Sequence, residues 1–150
     1  MITLKKLSLL ALVPVLALLL LASVLPAISS DTVSGTSAAS GAPDKIALLY
    51  FHRSERCISC NNAEQYARDT LNAYFPDEVK SGVLSIRSID YQKDTEMAKK
   101  YNANMQGLKL VEYRGGQETV KDLPEIWAYV RDKNAYMNYL RDVLNKELGR

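Results

Sequence analysis

Histidine is almost missing from this chain, His52 being the only one, and cysteine occurs just twice. Structural zinc sites are built from four Cys or His ligands, so a zinc-held fold is the weakest reading of the two cysteines. Charge of one sign is also lacking. The formal net charge is +2, and Lys, Arg, Asp and Glu are intermixed beyond residue 44. No basic face or acidic tail is therefore set out for a nucleic acid. The seven glycines include one adjacent pair, Gly115-Gly116, which falls in an expected hairpin, so no phosphate-cradling flavin or nicotinamide fingerprint is present. There is no internal repeat and no heptad run long enough for a coiled coil. No cofactor and no metal are expected. What the chain does have is 47% apolar residues in a length of 150, enough for one domain with a core and an additional segment.

That segment comes first. Lys5 and Lys6 precede an uncharged run over residues 7–30 that is dense in Leu, Ala and Val. A secretory signal carries roughly 7–15 apolar residues and a spanning helix about 20, so residues 1–28 read as a signal peptide or membrane anchor, nearer the anchor in length. Ala27-Ile28-Ser29 offers small residues for cleavage, and Pro14 and Pro26 are compatible with either fate. No Cys follows the run, which excludes a bacterial lipoprotein. The two lysines place the N-terminus in the cytoplasm and the chain from residue 45 outside it. Residues 29–44, SSDTVSGTSAASGAPD, have almost no large apolar side chain and read as a flexible linker, or equally as the remnant of a signal peptide.

Beyond the linker the pattern alternates. KIALLYFH, residues 45–52, is a short continuous apolar run that suits a strand buried on both faces. From Ile58 the apolar spacing turns helical through Ala63, Tyr66, Ala67, Thr70, Leu71, Tyr74 and Phe75, with Pro76 marking the end region. Residues 83–89 read as a second strand, residues 94–101 as a short helix, and residues 108–114 and 119–123 as a hairpin around the glycine pair. The last third, residues 125–148, reads as helical, with Ile126, Trp127 and Val130 in one stripe and Tyr136, Leu140, Val143, Leu144 and Leu148 in another. A parallel βαβ unit followed by an antiparallel hairpin and a closing helix is the thioredoxin arrangement: an α/β fold with a central mixed sheet flanked by helices. The domain so defined is 45–150.

The cysteines fall at the junction of the first strand and the first helix, spaced as Cys57-Ile58-Ser59-Cys60. A CxxC beside a βαβ pattern is the redox signature of this fold. The attacking species in disulfide exchange is the thiolate, and a free Cys with a pKa of about 8.5 is mostly protonated at neutral pH. A helix N-terminus favours negative charge, so Cys57 is the expected nucleophile, with Arg53 and Arg56 close in sequence. Cys60 returns one turn later and is the expected resolving thiol. A permanent disulfide is the plainer alternative, but so small a loop adds little entropic stability. Arg56 is a candidate tuning residue, or simply a solvated loop arginine. His52 is a candidate for tuning the thiols, or a structural residue at a strand end. The nine tyrosines are spaced for a core and its rim rather than for a cofactor.

YFHRSERCISC followed by AEQYARDTLNAYF, and later KDLPEIWAYVRDKNAYMNYL, resembles the thioredoxin-like small subunits known as nitrophenyl compound nitroreductase subunits of the ArsF type. The resemblance runs over most of residues 45–150, and its most specific element is the Tyr-Phe-His-Arg lead into the cysteine pair. It implies a thioredoxin fold, an exported or anchored domain and a redox partner. Ordinary thioredoxins carry Trp-Cys-Gly-Pro-Cys, and here Arg56, Ile58 and Ser59 replace the tryptophan, glycine and proline. They also place a cis-proline before the third strand, whereas residues 104–108 contain none. Gly107 is the candidate there for close approach of a partner's backbone, with a loop breaker as its plain reading. The buried acid of the first strand is replaced by Phe51 at roughly that place, which leaves water, Glu55 or another group to move the proton of Cys60.

These residues point to an extracytoplasmic thiol-disulfide oxidoreductase, membrane-anchored or secreted. It would exchange electrons with a protein thiol or disulfide partner, a membrane electron donor being one candidate. The alternative is a thioredoxin-fold accessory subunit, or a thiol-based module for a metal or metalloid, without redox turnover of its own.

Overall fold

Six successive apolar residues, 46–51, can all be removed from water only in a strand that has cover on both sides, and that strand forms the middle of the sheet. The computed structural model describes residues 41–150. In it β1 (Lys45–His52) sends Ile46, Leu48 and Tyr50 to one face and Ala47, Leu49 and Phe51 to the other. β2 (Leu84–Asp90) pairs with it in parallel, Leu48 opposite Ile86, and β3 (Gly107–Arg114) pairs with it antiparallel, Phe51 opposite Gly107. β4 (Gln117–Asp122) completes the order β2-β1-β3-β4. Its side chains are all exposed and mostly polar, which discourages pairing of that open edge with another chain.

The parallel β1–β2 pair requires a crossover, and α1 (Ile58–Tyr74) and α2 (Pro76–Ser81) supply it. Pro76 does more than mark the end of α1. It lacks an N–H and its φ is preset for a first helical turn, so it opens α2 at the point where α1 stops. Gly82 then ends α2 at φ 79°, a left-handed cap that a residue with a Cβ adopts only under strain. α3 (Thr95–Lys100) is the expected short helix, with Asp94 accepting from the Met97 N–H at 3.1 Å. The hairpin turns at Gly115 and Gly116, φ 54° and 80°, which is the pair of positive values a tight two-residue connection requires.

The final third is not one continuous helix. α4 (Ile126–Tyr129) is a single turn, and α5 (Lys133–Glu147) starts afresh after Asp132, whose extended backbone breaks the helical path. The Asp132 carboxylate accepts from the Ala135 N–H at 3.0 Å, so the break is also a cap. The two apolar stripes read from the sequence thus belong to two helices.

Two cores lie on opposite faces of the sheet. The larger joins Ile46, Leu48, Tyr50, Leu108 and Leu110 to Ala63, Ala67 and Leu71 of α1 and to Tyr136, Leu140 and Leu144 of α5. The smaller gathers Ala47, Leu49, Phe51, Ile89, Tyr101, Ala103 and Val111 beneath α3 and its following loop. At the start of the domain the Asp44 N–H donates to the Tyr113 carbonyl at 2.9 Å, and its carboxylate accepts from the Gly115 N–H at 2.7 Å. The expected signal or anchor, and the linker as far as residue 40, lie outside the described residues. Among the described residues no helix is long and apolar enough to cross a membrane. The strand order, the single parallel pair and the βαβ-then-hairpin connectivity make this a thioredoxin-like α/β fold.

Candidate functional site

β1 ends at His52, and the chain needs five residues to leave the sheet and enter α1. Ser54 holds this loop to the neighbouring strand end: its hydroxyl donates to Asp90 at 2.7 Å and its N–H donates to the Gln92 side chain at 2.9 Å. Cys57 then takes an extended backbone, φ −86° and ψ 165°, as the residue that caps α1. Its Sγ accepts from the Cys60 N–H at 3.1 Å, so the sulfur occupies the place where a helix start usually puts a Ser or Asp oxygen. Cys57 and Cys60 are joined by a disulfide, with their Cα atoms 5.0 Å apart. Cys57 is exposed, whereas Cys60 retains only 4% of its surface. Cys57 is thus the residue open to a partner, and Cys60 is shielded behind it.

The polar surroundings of the pair are built mainly from residues the sequence did not single out. Tyr50 is fully buried, and its hydroxyl donates to the Cys60 carbonyl at 2.8 Å. The strand residue beneath Cys60 is therefore Tyr50 and not Phe51, whose ring packs in the core on the opposite face. The alternation of side chains along a strand decides this, since a shift by one residue changes the face. Burial pushes the Tyr50 phenol up to about 12, which outweighs the lowering effect of the nearby Arg56 cation, so it stays protonated and donates. Tyr136 of α5 does the same one turn further along α1, donating to the Ala63 carbonyl at 2.8 Å.

Arg56 turns back over the first turn of α1 instead of reaching into solvent. Its guanidinium lies 5.6 Å from the Tyr50 ring centroid, donates to Glu64 at 2.6 Å and approaches the Cys60 carbonyl at 3.4 Å. Its Nε is buried and finds no acceptor. Glu64 is the hub. Arg68 donates to one of its oxygens through Nε and Nη2, at 3.0 and 2.7 Å, while Arg56 and Ser88 donate to the other. Only the spacing of Glu64 and Arg68, four residues apart on a helix, was readable in advance. The contacts to Arg56 and Ser88 depend on how loop, helix and sheet meet.

Burial pushes the Glu64 carboxyl up, but hydrogen bonds from Arg68, Arg56 and Ser88 together outweigh it and hold the group below its ordinary value of 4.5. A carboxyl depressed in the folded state gives stability that is complete above its unfolded value and is lost as pH falls through its folded value. The protein is thus expected to lose part of its stability on acidification below pH 4.5, and Glu64→Gln to lack that part of the slope. Denaturant unfolding of both proteins at about pH 7 and about pH 3 measures the difference, and parallel losses would remove Glu64 from the account.

The remaining sequence candidates are placed as follows. His52 is half-buried, stacks against Tyr50 at 6.3 Å between centroids, and donates from Nδ1 to the Arg53 carbonyl at 2.7 Å. A carbonyl can only accept, which fixes the proton on that nitrogen. Arg53 and Glu55 are exposed. Gly107 opens β3 opposite Phe51, at the end of the sheet where β1 runs into the cysteine loop, and the space where a Cβ would stand is open. It lines a cavity of about 340 Å³ together with Phe51, Asn104, Met105, Leu123 and Trp127. Met105 and Ile58 are the most exposed large apolar side chains among the described residues.

No protein-family model and no curated protein matches this chain. Among solved structures it is similar to a designed protein, with 17% identity and a TM-score of 0.47, over 72% of this chain and 80% of that one. It is also similar to human ERp44 in a zinc-bound form, with 20% identity and a TM-score of 0.48, over 67% of this chain and 27% of ERp44, so it spans about a quarter of that protein's length.

Proposed function

We propose that residues 45–150 are the redox domain of an extracytoplasmic thiol-disulfide oxidoreductase, carried on a membrane anchor or secreted, that exchanges electrons with a protein partner. The observation that carries this reading is the asymmetry of the pair: an exposed Cys57 held at the start of α1 and a Cys60 buried one turn behind it. A thiolate at Cys57 would keep the Cys60 N–H as a donor and gain the positive end of the helix.

In the reductive direction the Cys57 thiolate attacks one sulfur of a partner disulfide, forming a mixed disulfide and expelling the partner's other sulfur as a thiolate. Cys60, once deprotonated, attacks the Cys57 sulfur, closes the intramolecular disulfide and releases the second partner thiolate. Two electrons and two protons pass from the dithiol to the partner, and the reverse sequence oxidises a partner dithiol. The apolar run after Lys5 and Lys6 supports the location.

Equilibration of the full chain, purified in mild detergent, with graded glutathione and glutathione disulfide tests this. Alkylation of the thiols present at each poise and weighing of the products should give one reversible two-electron transition. A pair that stays closed, or stays open on a bound metal, at every poise would replace this reading with that of a binding or docking module.

A further inference from the structure

Cys60 presents its two main-chain polar groups to opposite partners. Its N–H meets the Cys57 sulfur at 3.1 Å, and its carbonyl meets the Arg56 guanidinium at 3.4 Å. Arg56 directly precedes Cys57, and its guanidinium is held at the carbonyl side of Cys60 while the Cys57 sulfur lies at the N–H side. Glu64, one turn further along α1, holds it there through a 2.6 Å ion pair and is itself 13% exposed. The Arg56 side chain keeps 25% of its surface and Cys57 is exposed, so water screens part of their interaction.

The cluster does not look built for stability alone. The Arg56 Nε–H is buried with no acceptor, and a buried unpaired donor generally costs about 1–3 kcal/mol. Oxidised cysteines offer this cation no anion. Reduction introduces one at the start of α1, the Cys57 thiolate.

We infer that Arg56 and Glu64 tune the cysteine pair through their charges: Glu64 partly neutralises the Arg56 cation, so that the two pull the reduction potential in opposite directions. This deepens the exchange reading above and rests on it. The Arg56 cation favours the thiolate and hence the dithiol state, which makes the pair more oxidising. The Glu64 anion opposes the thiolate and makes the pair more reducing. Arg68, on the far oxygen of Glu64, keeps the carboxylate charged.

The test compares the full-length protein with Arg56→Met, Glu64→Gln and the double variant, each equilibrated with defined glutathione ratios in detergent and read by alkylation and mass. Glu64→Gln is expected to shift the equilibrium about three- to tenfold toward the dithiol, and Arg56→Met to shift it by a similar factor toward the disulfide. The double variant should return close to the parent value. Glu64→Met, which keeps length and helix preference without the charge, takes the place of Glu64→Gln if that variant fails to fold. Loss of a merely structural contact would move both single variants the same way or neither, and either result overturns the inference while leaving the exchange reading intact. If the parent protein itself shows no reversible transition, the exchange reading falls and this inference falls with it.

Discussion

Cys57→Ser is expected to abolish exchange with a disulfide substrate, whereas Cys60→Ser should still perform the first attack and then stop. Removing a covalent nucleophile lowers rates on the order of 10³-fold or more, and a hydroxyl in place of the thiolate leaves no comparable attacking group here. Removing the resolving sulfur acts on the second step, so the mixed disulfide at Cys57 should accumulate as a species of added mass. The asymmetry of exposure sets the direction of this prediction: Cys60 retains 4% of its surface, too little for a folded partner to meet its sulfur first. Mass analysis of both variants after acid quenching from a disulfide substrate is the measurement. Equal trapping at Cys60 in the Cys57→Ser protein would overturn the assignment of separate roles to the two thiols.

The second large effect concerns stability. Tyr136 is fully buried between α5 and α1, where its ring meets Tyr66 edge-on at 5.6 Å and its hydroxyl reaches the Ala63 carbonyl. Tyr136→Ala is expected to cost about 3–5 kcal/mol, the scale for removing a large aromatic side chain from a core. Tyr136→Phe keeps the ring and removes one hydrogen bond to a carbonyl within a helix, and should cost about 0.5–1.5 kcal/mol. Urea unfolding monitored by circular dichroism separates the two. If the phenylalanine variant lost as much as the alanine variant, the hydroxyl and not the ring would be what joins the helices. Since Cys57 caps α1 and Cys60 lies in its first turn, the alanine variant should also loosen the site, and faster alkylation of Cys60 after reduction would report that.

Strand and helix periodicity carried most of the fold. The six apolar residues at 46–51 announced a central strand, the three-and-four spacing after Ile58 announced α1, and the glycine pair announced the hairpin between β3 and β4. These features are local, and local patterns are legible in a sequence because side-chain direction repeats every two residues in a strand and every 3.6 in a helix. The boundaries read less well where one residue had two meanings. Pro76 ends α1 and begins α2, and Asp132 interrupts an apolar pattern that continues on either side of it.

The position of the cysteine pair at a strand-to-helix junction was determined by the sequence alone, because CxxC and the change of period occur at the same place. The environment of that pair was decided only in three dimensions. Whether Tyr50 or Phe51 lies under Cys60 depends on the register of β1 against both neighbours, since one step along a strand exchanges its faces. The inward turn of Arg56 requires Glu64 from α1 and Ser88 from β2, brought from eight and twenty-four residues away from Arg56 and Glu64 respectively. Such contacts leave no period in the chain. Bonded neighbours and repeated spacing can be read from a sequence, whereas charge compensation across elements is fixed when the sheet, the loop and the helix pack together.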